Sequence, residues 1–140
     1  MCFSRWSQSV LFSFMLLFSA FTHAEDNYQQ WVQDIENRLD KTTALYAENK
    51  VDDARTEVQM AYFEVFENLE GPIRINFSAQ KSYQMEATFG EIRKMIRDGL
   101  PQDQVKAKID GLKAELQEVL PSLKEGHHTL PNCFSCLSLP

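Results

Sequence analysis

Apolar residues recur at three- and four-residue steps through most of this chain, in four blocks set apart by turn-forming residues. That period belongs to the α-helix, whose successive turns bring such positions onto one face. The last block is the cleanest: Val105, Ile109, Leu112, Leu116, Val119 and Leu123 form one stripe. The first carries Trp31, Ile35, Leu39, Thr42 and Tyr46 over about residues 26–48, with Arg38 inside the stripe, where it must snorkel or find a carboxylate. The second carries Ala54, Val58, Ala61, Tyr62, Val65 and Leu69 over about 52–70, with Phe63 and Phe66 off the stripe. The third carries Met85, Phe89, Ile92 and Ile96 over about 78–98.

The punctuation agrees. Asn49-Lys50 reads as a turn, Gly71-Pro72 as a break, Ser78 as an N-cap and Gly99 as a C-cap. Pro101 opens the last helix, which runs to about Lys124, with Pro121 near its end as an alternative early stop. Residues 72–78 are ambiguous between a helical turn and an extended link. Four amphipathic helices with short links predict an all-α, up-down four-helix bundle. Five Gly and five Pro in 140 residues are too few for a many-turned β fold.

A different pattern precedes the bundle. Residues 1–8 hold one positive charge, Arg5, and Ser9–Phe21 is a 13-residue run with no charge. Thr22-His23-Ala24 closes it with a small-x-small pattern before Glu25-Asp26. A bilayer span needs about 20 apolar residues. Residues 1–24 therefore read as a cleavable secretory signal peptide, which makes the chain exported and periplasmic. Residues 25–125 are then the periplasmic bundle, with no later span. Removing residues 1–24 takes the net charge from −6 to −7. That acidic balance argues against nucleic acid and fits cations or basic partners.

Residues 127–140 contain no Asp, Glu, Lys or Arg, and residues 126–140 read as a disordered or aberrant tail, as a truncated or frameshifted gene would leave. Within it, His127-His128 and Cys133-x-x-Cys136 allow either zinc or an exported disulfide.

Chemistry concentrates in glutamates. Glu64, Glu67 and Glu70 follow one another at three-residue steps on the second helix, and Glu86 and Glu91 lie on the third. On a wheel of about 100° per residue, Glu70 points with the apolar stripe and Glu86 lies at the edge of its own. Inward carboxylates need a cation, whether a metal or an Arg. Oxygen-rich sets suit hard cations such as iron, calcium and manganese. Arg38, Arg74 and Arg93 offer salt bridges instead. No Glu-x-x-His motif, Gly-rich phosphate loop or G-x-S-x-G motif is present, so the chain does not read as an enzyme.

Two blocks carry a resemblance. Ala61-Tyr62-Phe63-Glu64-Val65-Phe66-Glu67-Asn68-Leu69-Glu70-Gly71-Pro72-Ile73-Arg74, followed by Met85-Glu86-Ala87-Thr88-Phe89-Gly90-Glu91-Ile92-Arg93, resembles the exported N-terminal region of bacterial high-affinity iron permeases. These form the oxidase-coupled iron/lead transporter family, and the likeness covers about residues 25–125. In that family the bundle precedes a membrane domain with an R-E-G-x-E motif, and neither is in this sequence. The resemblance implies a periplasmic domain that binds or delivers iron during uptake, beside a membrane permease or its partner subunits, without transporting by itself. By motif position it implies iron contacts at Glu64, Glu67 and Glu86. The competing expectation is a metal-free helical interaction module, motivated by Phe63 and Phe66 outside the stripe.

Overall fold

The computed structural model describes residues 23–125, with side chains from Asn27 onward. Residues 1–22, which make up most of the expected signal peptide, and residues 126–140, the expected tail with His127, His128, Cys133 and Cys136, lie outside the described residues. Among the described residues five α-helices and one π-helical segment make up four rods: α1 (His23–Ala47), α2 (Val51–Met60), the π segment (Ala61–Phe66), α3 (Glu67–Asn76), α4 (Ala79–Arg97) and α5 (Gln102–Glu125). The second rod is α2, the π segment and α3 end to end. The predicted cleavage point after Ala24 falls in the first turn of α1.

Each rod buries most of the stripe that its spacing implies, with Trp31 and Tyr62 only partly buried against the core. Ile35, Leu39 and Tyr46 of α1, Met85, Phe89, Ile92 and Ile96 of α4, and Val105, Ile109, Leu112, Leu116, Val119 and Leu123 of α5 join one core, to which α1 also adds Val32. Thr42 is fully buried in that core, and its hydroxyl donates to the Arg38 carbonyl at 2.9 Å, so it carries no unpaired polar group inside.

The rods run up, down, up and down. At one end the turns are built alike: Asn49 and Gly99 both take the left-handed conformation, at φ 59° and 68°. Lys50 and Leu100 donate backbone bonds to Leu45 and Met95, five residues back, which closes each helix by the Schellman pattern. The Tyr46 hydroxyl donates to the Leu100 carbonyl at 2.6 Å and ties these two turns together. At the other end the last turn of α5 meets the first turns of α1, through Lys124 and Gln29 at 2.7 Å. There too Ser78 caps α4, accepting from the Lys81 backbone N–H at 2.9 Å.

One expectation is corrected. Gly71-Pro72 does not break the second rod, which continues to Asn76. A proline normally clashes with the Cβ of the residue before it, and Gly71 has none. Ile73, just beyond, is fully buried, and its carbonyl accepts from both Phe77 and Ser78. Burying such a side chain gains about 1.5–3 kcal/mol, comparable to the roughly 3 kcal/mol an interior proline costs. The last helix runs to Glu125, close to the expected Lys124, and passes through Pro121, with Leu120 and Leu123 on either side of it buried.

Candidate functional site

The site is built on the π segment. Ala61–Phe66 closes its backbone bonds one residue wider than an α-helix. In an unbroken α-helix residues eight apart stand about 80° from alignment. The wider turns rotate less per residue, and here Tyr62 and Glu70 come into line: the Tyr62 hydroxyl donates to Glu70 Oε1 at 2.8 Å. The same widening turns Phe66 inward, where it is fully buried, and leaves Phe63 about half exposed. Of the two rings expected outside the stripe, one therefore belongs to the core.

Three rings clasp one another at this point. Phe66 and Phe89 stand 4.9 Å apart between centroids, and Tyr62 lies 5.8 Å from Phe66 and 5.6 Å from Phe89. Beside them runs an open groove of about 340 Å³ lined by Tyr62, Phe63, Glu86, Phe89, Gly90 and Arg93. Burial pushes the Tyr62 phenol well above its ordinary range, and the Glu70 bond and the charges of Glu70, Glu86 and Glu67 push it further. Tyr62 therefore stays a neutral donor at neutral pH, within the field of three carboxylates.

The four glutamates singled out by sequence part company. Glu64 turns to α1, where Arg38 Nη2 pairs with it at 2.8 Å, while Arg38 Nε reaches Asp34 at 3.4 Å. Arg38 thus finds the carboxylate its stripe position demands. Glu67, Glu70 and Glu86 remain around Tyr62, and among the described residues no Lys or Arg pairs with them. Elsewhere the acids are mostly matched: Asp40 with Lys113, Glu57 with Lys41, Glu91 with Lys108, Glu118 with Lys81. Arg74, expected as a salt-bridge partner, lies over the Tyr83 ring at 4.5 Å and donates to its hydroxyl. Arg93 lines the groove.

The arrangement is an open negative field with oxygen donors and one phenol. It is not a closed coordination shell: among the described residues no three of His, Cys, Asp and Glu stand close enough to hold a metal ion. Sequence reasoning missed Tyr62 as a site residue because it sits on the apolar stripe. Its signal was the aromatic density of residues 61–66, three rings in five residues. Among the described residues no helix is long and apolar enough to cross a membrane. No protein-family model, curated protein or solved structure matches the chain.

Proposed function

We propose that the bundle takes part in iron uptake on the exported, periplasmic side of a membrane, holding iron briefly and passing it to a permease rather than moving it across. One observation carries this reading: Tyr62 bonds Glu70 within the field of Glu67 and Glu86, and among the described residues none of these three carboxylates forms an ion pair, Arg93 lining the groove without pairing with them, in a protein that pairs most of its other acids. Carboxylate oxygens suit a hard cation, and an open face with water completing the shell suits cargo that must leave again. The likeness of residues 61–74 and 85–93 to the exported region of iron permeases supports the choice of iron over other hard cations. Iron enters here as cargo, not as a resident cofactor.

The test is calorimetric titration of ferrous iron under argon, and of a ferric chelate, with magnesium as the control cation. Saturable heat with iron, weakened at least tenfold in Glu67→Gln with Glu86→Gln, is the expected result. Iron heats no larger than those of magnesium, or unchanged in the double variant, overturn the reading.

A second reading, a metal-free protein-interaction module, rests on Phe63, about half exposed beside the groove. Loss of a periplasmic partner in Phe63→Ser, with iron heats absent, would favour it.

A further inference from the structure

The last turn of the π segment is held by a side chain on its solvent face. Asn68 is exposed, and its amide Nδ2 donates to two neighbouring carbonyls of the segment, Glu64 at 3.0 Å and Val65 at 3.3 Å. Beside it the Glu67 N–H reaches the Tyr62 carbonyl, five residues back. In a uniform α-helix that N–H would pair with Phe63, four residues back. Asn is a poorer helix former than Ala, Glu or Lys, so helical propensity does not account for it at an exposed position.

Threonines bond the helical backbone of this protein in a different way. Thr42, Thr43, Thr56 and Thr88 each donate to the single carbonyl four residues back, at 2.9–3.1 Å. All four lie in helix of ordinary pitch, so one such bond leaves the ladder as it is. An amide lodged on two adjacent carbonyls draws both outward and opens the turn, as a side chain inserted into the ladder does. We propose that Asn68 is a positioning residue: it holds residues 61–66 in the π register and thereby sets Tyr62 against Glu70.

The register has a support on each side of the rod. On the inner side Phe66 is fully buried against Phe89, with ring centroids 4.9 Å apart. On the outer side Asn68 fastens the Glu64 and Val65 carbonyls. Once that clip is gone the turn closes toward α pitch, and residues eight apart, Tyr62 and Glu70 among them, swing about 80° out of line. Asn68 acts through the backbone and supplies no ligand itself. The inference deepens the iron reading and rests on it for the use of the site, but its test needs no iron.

The test is amide hydrogen exchange and nuclear Overhauser contacts on the isotope-labelled protein, parent beside Asn68→Ala and Asn68→Thr. The parent is expected to show contacts between the Tyr62 ring and the Glu70 side chain. In Asn68→Ala these contacts are expected to be lost, and the amides of Val65, Phe66 and Glu67 to exchange at least tenfold faster. The amides of Leu112 and Leu116 in α5 are expected to keep the parent's rates, which a general loss of stability would not allow. Asn68→Thr, able to bond one carbonyl as the other threonines do, is expected to behave like Asn68→Ala. Three results overturn the proposal: contacts and exchange unchanged in Asn68→Ala, a faster exchange spread equally over α5, and an Asn68→Thr variant that matches the parent. Iron heats are read separately, so their absence in the parent overturns the iron reading and leaves the result for Asn68 as it stands.

Discussion

The Tyr62 hydroxyl donates to Glu70 Oε1 at 2.8 Å along a single rod, across the junction where π-helical turns give way to α-helical ones. The pair therefore reports on helical register as well as on charge. Because burial and three carboxylates raise Tyr62, the folded chain keeps the phenolic proton at a pH where the unfolded chain has released it. Its contribution to stability is complete below about pH 10, the ordinary tyrosine range, and is lost as pH rises toward the higher folded value. Urea midpoints between about pH 8 and 11 should fall more steeply for the parent than for Tyr62→Phe. Glu70→Gln should lower the titration point of Tyr62, read from tyrosinate absorbance, and leave it above the ordinary range, since burial remains.

The π register can be tested by comparing two neighbouring rings. Phe66 is fully buried and Phe63 about half exposed. Phe66→Ala should destabilise by about 3–5 kcal/mol, as a core aromatic deletion does. Phe63→Ala should cost less than about 1 kcal/mol, in the range of a surface change. Similar losses for the two in chemical denaturation would show that the rod has another register.

Glycine substitutions should act in opposite directions at two positions. A Cβ on Gly111, inside α5, would meet nothing within 4 Å, so Gly111→Ala should stabilise by about 0.5–1 kcal/mol. Gly99 has equal space but a φ of 68°, so Gly99→Ala should destabilise by about 1 kcal/mol. Thermal melts of the two variants check both signs.

The α4 cap offers a smaller effect. Ser78→Ala removes the acceptor of the Lys81 N–H and should lower stability by about 1 kcal/mol, whereas Ser78→Asp should keep most of it. A pair of urea titrations separates the two.

The α5 stripe, the Ser78 cap and the Gly99 turn were legible in the sequence because each depends on local geometry: a 3.6-residue period, one hydroxyl, one missing Cβ. The continuation of helix through Gly71-Pro72 was not, since it depends on the burial of Ile73 by other rods. The candidate site was half legible. Glu67, Glu70 and Glu86 stood out as carboxylates, and Glu64 drew its partner from α1, which spacing on its own rod does not reveal. Tyr62 was hidden by its place on the apolar stripe, and uniform rotation of about 100° per residue does not register the π turns that bring Phe66 inward.

The first and last rods lie side by side and antiparallel, joined by Gln29 with Lys124, Glu36 with Gln117 and Asp40 with Lys113. Pulled apart by residues 23 and 125, these rods are loaded like the two halves of a zip. Tension falls on Gln29–Lys124 first, then on Glu36–Gln117, then on Asp40–Lys113, never on all three together. The bundle is therefore mechanically weak along this axis whatever its stability at rest, and a pull of one rod lengthwise past the other would meet all three joints at once.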